Sequence, residues 1–325
     1  MKLGARAKTR AAREQARLPQ RKPVMRPTTT LLTMAVLFSA GAATAQEPDS
    51  VTSPGANMVT LASGFKFTEG PAVDAAGNIY FSDIPNNRIH KWTVRTRELS
   101  TFLEDSGGAN GLFFDRNGAL LACQTRRQRV VAIAPDKQVT VLAERFGDKP
   151  FNKPNDLWID PSGGVYFSDP GYGLKKLSQD GEHVYYIHPD RQQVSRVAKG
   201  FERPNGLVGT ADGKTLYITD RGAYETWVYK IGEDGSLSDK KLFCREGSDG
   251  MTLDEHGNLY MTPKKPAIHV YDPSGELREK IPLPALATNL VIGGPAGRTL
   301  FVTARKLLLA IELRVRGQHW TDAAK

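Results

Sequence analysis

The chain has 325 residues, enough for one large single-core domain or two small ones, and 40% hydrophobic with 24% charged residues is the composition of a soluble globular protein. Its net charge of +9 suggests a nucleic-acid partner, but residues 1–45 carry nine Lys/Arg against the one acid Glu14, which leaves 35 basic against 34 acidic residues in the rest. A nearly neutral body lacks the electrostatic footprint for phosphate backbones, so no nucleic-acid partner is expected.

The chain opens with a basic stretch that ends near Arg26. An apolar run over residues 31–38 follows, then small residues with Ala43-Thr44-Ala45 as a cleavage site before Gln46. That order is the order of an export signal, so residues 1–45 are read as one, with Met25 as an alternative start. The apolar run is too short to cross a bilayer as a stable helix. The expectation is an exported protein, periplasmic or secreted, with no membrane span after signal cleavage. Residues 46–57 read as a polar linker and 58–325 as the folded domain.

From there a unit recurs six times: a polar anchor, a short apolar strand, a turn of Asp, Gly or Asn, and a second apolar strand ending in Ser, Thr or Asp. Glu69-Gly70-Pro71-Ala72-Val73 leads through Gly77-Asn78 to Ile79-Tyr80-Phe81-Ser82-Asp83. Asn110-Gly111-Leu112 leads to Leu120-Leu121-Ala122-Cys123, and Asn155-Asp156-Leu157 to Val165-Tyr166-Phe167-Ser168-Asp169. Asn205-Gly206-Leu207 leads to Leu216-Tyr217-Ile218-Thr219-Asp220, Asp249-Gly250-Met251 to Leu259-Tyr260-Met261-Thr262, and Asn289-Leu290-Val291 to Leu300-Phe301-Val302-Thr303. The anchors fall 41, 45, 50, 44 and 40 residues apart, the length of one four-stranded propeller blade.

Third strands follow at residues 88–92, 129–133, 184–187, 227–230 and 268–271, and fourth strands at stretches such as 99–102 and 138–142. No long helical period separates the strands, which excludes a TIM barrel or a Rossmann fold. The fold class is all-β, a six-bladed β-propeller. Residues 58–61 are strand-like and are expected to pair with the last blade and close the ring. Cys123 and Cys244 fall in well-separated blades, too far apart for a disulfide, and are expected to be buried free thiols.

In a propeller the innermost strand of each blade starts at one end of the central channel. The anchors Glu69, Asn110, Asn155, Asn205, Asp249 and Asn289 would converge there, and each offers a side-chain oxygen. Asn-Gly and Asp-Gly alone are ordinary turn formers; six at one structural position are a different matter. Converging oxygens with two carboxylates suit a hard divalent cation, and Ca²⁺ accepts six to eight such ligands with tolerant geometry. Mg²⁺ and Mn²⁺ are alternatives. Zn²⁺ is the least suited, since no anchor is His or Cys. Four direct ligands are expected, with Asn110 and Asn289 the more structural members. The six histidines show no metal-binding spacing.

Thr68-Glu69-Gly70-Pro71, Lys153-Pro154-Asn155-Asp156-Leu157, Phe167-Ser168-Asp169-Pro170-Gly171-Tyr172-Gly173, Arg203-Pro204-Asn205-Gly206 and Ser248-Asp249-Gly250 stand in this order along the chain. In these motifs the sequence resembles the SMP-30/gluconolactonase/LRE (regucalcin-like) family from about residue 60 to 315. The resemblance implies a metal-dependent lactonase, with Glu69, Asn155, Asn205 and Asp249 as metal ligands and Asp249 as general base. It places Lys153 where some members carry a substrate-contacting Arg, and Gln124 and Thr125 where close bacterial relatives have an acidic residue and a His. Asn110, Lys153, Gln124 and Tyr172 are the candidate contacts to a small lactone or ester substrate, with Tyr224 another loop tyrosine near the mouth. No G-x-S-x-G elbow is present, in keeping with hydrolysis that needs no serine triad. The competing reading is a non-catalytic propeller that binds a ligand or partner, of the strictosidine-synthase-like or NHL type at the furthest remove.

Overall fold

A computed structural model describes residues 50–318; the expected export signal at 1–45 lies outside the described residues. Six four-stranded antiparallel sheets follow one another along the chain. The first comprises Thr68–Val73, Ile79–Asp83, Arg88–Thr93 and Glu98–Leu103, the second Ala109–Phe114, Leu120–Gln124, Arg129–Ile133 and Val139–Ala143. The third comprises Leu157–Ile159, Val165–Asp169, Glu182–Ile187 and Val194–Phe201, the fourth Pro204–Gly209, Thr215–Asp220, Glu225–Ile231 and Leu237–Cys244. The fifth comprises Met251–Leu253, Leu259–Met261, Ala267–Tyr271 and Leu277–Pro282. The sixth takes Asn289–Gly293, Thr299–Ala304 and Leu307–Glu312 from the end of the chain, and its outer strand, Val59–Ser63, from the start. Val59 pairs with Ala310 and Ser63 with Leu307. The expected closure is therefore present, and the arrangement is a six-bladed β-propeller that leaves no blade short of a strand.

The sequence explains why the blades hold this geometry. Each second strand is apolar on both faces, because it lies mid-blade between neighbouring blades. Phe81, Phe167, Tyr260 and Phe301 are fully buried there, each contributing roughly 1.5–3 kcal/mol of apolar burial. The Ser or Thr that ends a second strand hooks the next blade. Ser82 Oγ donates to the Asn110 carbonyl at 2.8 Å, Thr219 Oγ1 accepts from the Ser248 amide at 2.7 Å, and Thr262 Oγ1 donates to the Thr288 carbonyl at 3.2 Å. The Asp beside it turns back on its own blade. Asp83 accepts from the amides of Lys66 and Phe67, Asp169 from that of Asn152, and Asp220 from those of Glu202 and Arg203. These carboxylates fix the crossover that delivers each inner strand to the channel.

One reading of the sequence changes, and one element is added to it. The end of the expected linker is anchored: Val51 is buried, its amide donates to Glu279 Oε2 at 2.7 Å, and Thr52 bridges to Leu313. Its sequence looks polar because Ser50 and Thr52 also bind Glu279. A short hairpin, Arg145–Phe146 with Lys149–Pro150, lengthens the crossover into the third blade. Cys123 and Cys244 are buried free thiols, as expected.

Candidate metal and active site

The anchor of each blade sits where its inner strand begins, held by the second strand. Glu69 pairs with Ser82 and Asn289 with Thr303. The Asn155 amide donates to the Ser168 carbonyl at 2.9 Å and the Asp249 amide to that of Thr262 at 3.1 Å. Neighbouring inner strands then approach closely enough to need glycine. A Cβ on Gly70, which also has φ of +43°, would collide with the Asn110 carbonyl, and one on Gly250 with the Asn289 side chain. The residue after the anchor is glycine in four blades, so that side-chain space is given to the next anchor.

All six anchors are buried. Asn205 Nδ2 donates to Asp249 Oδ1 at 2.7 Å and to the Tyr172 hydroxyl at 2.8 Å, which ties three expected site residues together. Glu69 Oε2 accepts from the Gly70 amide at 3.0 Å. Asn110 Oδ1 is buried and has no hydrogen-bond partner. The Lys153 side chain is half-buried, its Nζ 3.8 Å from the position a Cβ on Gly173 would take, beside Tyr172.

Gln124 is not available in the way the sequence suggested. It is fully buried in the second blade, its Nε2 donating to the Ser106 carbonyl at 2.9 Å and its Oε1 accepting from Arg129 Nε at 2.6 Å. It links the Ser106 turn to Arg129. Thr125 likewise donates to the Pro154 carbonyl at 2.7 Å. Tyr224 sits beside Glu246, 3.5 Å from Oε1, with Lys264 over its ring.

Two further residues that reach the anchors escaped the anchor pattern. Asp156 fills the slot that is glycine in four other blades, and it points inward. Asn289 Nδ2, from the blade diametrically opposite, donates to its Oδ2 at 3.2 Å, and the Leu157 amide to its Oδ1 at 2.9 Å. A carboxylate among glycines was the available sign. Arg221 follows the second strand of the fourth blade and places Nη2 3.2 Å from Asp249 Oδ2, with Tyr172 also within its reach. Nothing in the anchor periodicity pointed to it.

The electrostatics follow from putting three carboxylates in one buried space. Burial pushes the Glu69 carboxyl well above the usual range, and repulsion from Asp249 adds to it. Burial raises Asp156 to about 7, against the opposing hydrogen bonds from Leu157 and Asn289. It raises Asp249 to about 6, with Arg221 and Asn205 pulling the other way. Such a cluster is under-compensated as it stands, and perturbed carboxyls in a cleft are a mark of functional sites.

Among the described residues no three His, Cys, Asp or Glu side chains make a metal-holding group by themselves. A set that joins Glu69 and Asp249 to the amides of Asn155 and Asn205 does fit a hard cation: every donor is oxygen, two carry negative charge, and a buried, unsatisfied amide oxygen lies on neighbouring Asn110.

A six-bladed propeller with an oxygen-lined, carboxylate-bearing site at one end of its channel is the class that fold and site define. The sequence model of the SMP-30/gluconolactonase/LRE-like family matches residues 67–306, and the chain belongs to that family. It is 28% identical over 304 residues to the gluconolactonase of Zymomonas mobilis, across 83% of this chain and 85% of that protein. The solved structure of a gluconolactonase from Xanthomonas campestris superimposes with a TM-score of 0.76 at 28% identity, covering 81% of this chain and 91% of that one. A calcium-binding regucalcin from Agrobacterium tumefaciens shares the fold, with a TM-score of 0.69 at 20% identity over 79% of this chain and 94% of its own.

Proposed function

We propose that the protein is an exported lactonase that opens a sugar lactone or related ester at this site, with Glu69, Asn155, Asn205 and Asp249 holding one divalent cation, calcium before magnesium, manganese or zinc. The observation that carries the reading is the Asn205–Asp249–Tyr172–Arg221 cluster at the channel end, beside two further buried carboxylates. Relatives named gluconolactonase support the reaction, and a calcium-binding relative of the same fold supports the cofactor. When bound, the cation polarises an ester carbonyl and makes a water easier to deprotonate.

The chain's own residues account for the proton movements. Asp249, its Oδ2 3.2 Å from Arg221 Nη2, is the base that takes a proton from the attacking water. The water oxygen bonds to the carbonyl carbon, the ring carbon–oxygen bond breaks, and the proton on Asp249 passes to the departing ring oxygen. Asn205 fixes the Asp249 carboxylate through its amide. Arg221 and the Tyr172 hydroxyl stand beside it to donate hydrogen bonds to the oxygen that gains charge. Replacing Asp249 with Asn keeps the shape and removes the base. The expected result is a fall in kcat of at least about a thousandfold with the thermal midpoint retained. Full turnover by that variant would remove Asp249 from the mechanism.

A further inference from the structure

We propose that the lactone this site accepts carries an anionic group, a carboxylate or a phosphate, seated on a cationic rim formed by Lys153, Arg221, Lys264 and Arg305. The proposal rests on the lactonase reading above and goes on to name the substrate class.

Antiparallel pairing places the end of each second strand beside the start of the inner strand, at the site's end of the channel. Pro204 pairs with Asp220, and Arg221 comes next. Asn289 pairs with Thr303, and Arg305 stands two residues on. The Asp249 amide donates to Thr262, and Lys264 stands two residues on. Lys153 lies two residues before Asn155. Four consecutive blades thus each bring one cation to the same mouth.

One of the four already reaches the site: Arg221 Nη2 lies 3.2 Å from Asp249 Oδ2. Lys153, Lys264 and Arg305 have no carboxylate partner within ion-pair distance among the described residues. Lys264, whose Nζ lies over the Tyr224 ring, and Arg305 are exposed and Lys153 is half-buried, so none of the three is neutralised by a carboxylate before a ligand arrives. Arg221 alone is paired, with Asp249. A divalent cation offsets the two charges of Glu69 and Asp249, and Asp156 brings at most one more negative charge against the four cations of the rim, so an excess of positive charge is kept. A neutral polyol lactone has nothing to match that excess. A lactone with a charged group at the end remote from its ring ester matches it, and clefts of one sign also raise the encounter rate of the opposite one.

The test uses the purified protein with calcium and three probes: glucono-1,5-lactone, which is neutral, glucaro-1,4-lactone, which bears a carboxylate, and 6-phosphoglucono-1,5-lactone, which bears a phosphate. Hydrolysis is followed by proton release above the spontaneous rate. The expected kcat/KM for one of the charged probes exceeds that of the neutral probe by about tenfold or more, and 0.5 M salt reduces this preference. Which charged probe wins distinguishes carboxylate from phosphate. In a Lys264→Gln, Arg305→Gln double variant with an unchanged melting temperature, the charged-to-neutral ratio falls by about tenfold. Calorimetry supplies a second readout, because the ring-opened anions glucarate and 6-phosphogluconate should bind and should bind more weakly to the double variant. A neutral lactone turned over as well as both charged ones, or a ratio unmoved by the double variant, overturns the proposal. If no probe is hydrolysed, the lactonase reading fails and calorimetry decides the rim: anion binding that the double variant weakens upholds it, and no anion binding overturns it.

Discussion

Asp220 offers the sharpest test of how the fold supports the site. It is 3% exposed, and its carboxylate accepts four backbone amides: Glu202 at 2.8 Å, Arg203 at 2.9 Å, Gly222 at 3.0 Å and Ala223 at 3.1 Å. The first two belong to the crossover that delivers Asn205, and the last two to the turn that carries Arg221. In Asp220→Ala all four donors lose their acceptor. Hydrogen bonds to a charged group are worth about 1.5–3 kcal/mol each, but the four donor residues are exposed enough for water to replace part of that, so about 1 kcal/mol each is a fair loss. The total is roughly 3–4 kcal/mol, which lowers the melting temperature of a domain this size by roughly 6–15 °C. Thermal unfolding followed by circular dichroism, with a urea titration beside it, reads this directly. Asp220→Asn keeps one acceptor oxygen and should recover about half of the loss. Because Asn205 and Arg221 both lose their footing, kcat/KM should fall in the Ala variant even at temperatures where it stays folded. A melting temperature within 2 °C of the wild type, by contrast with the roughly 6–15 °C expected, would refute the claim that this carboxylate ties the two segments together.

Two further outcomes follow from the same structure. Burial raises the carboxyls of Asp169, Asp156 and Asp249 to about 8, 7 and 6, whereas the unfolded chain releases those protons near pH 4. The native metal-free protein therefore binds more protons than the unfolded chain across that window, and its stability falls as pH rises from about 4 to about 8. Urea midpoints at pH 5.5 and pH 8 check this, and a midpoint that rises with pH contradicts it. Gly250→Ala drives a methyl group into the Asn289 side chain, a buried overpacking that costs about 1–3 kcal/mol in urea unfolding, and an unchanged midpoint would mean that the two inner strands are free to separate.

Most of the fold was legible because the propeller repeats covalently. Each copy of anchor, strand, turn and strand repeats the same local solution, so Phe81, Phe167 and Tyr260 announce the buried second strand without any tertiary information. The ring closure was legible too, since an apolar stretch at residues 58–61 had no partner of its own. At the site, Asn205, Asp249 and Tyr172 could be proposed from their motifs, and they touch one another. Arg221 could not, because its role comes from a turn reaching across to the next blade's anchor, and such a reach leaves no period in the sequence. Asp156 was visible as a departure from glycine, but only the structure gives it a partner across the channel in Asn289. Gln124 misled for the opposite reason. It holds a promising place in the motif, yet Arg129 and the Ser106 carbonyl occupy its amide. The approach to the first blade misled because Ser50 and Thr52 are polar in order to bind Glu279, and a bound polar segment reads like a free one.

The central claim is that ester hydrolysis depends on a cation held by Glu69, Asn155, Asn205 and Asp249. Its most direct test is the rate of proton release from a lactone panel by protein stripped with a chelator, then restored with Ca²⁺, Mg²⁺, Mn²⁺ or Zn²⁺ one at a time. The account predicts hydrolysis that disappears on stripping and returns on restoration, most fully with Ca²⁺. Hydrolysis undiminished in the stripped protein, or none of any lactone with any metal, would contradict it.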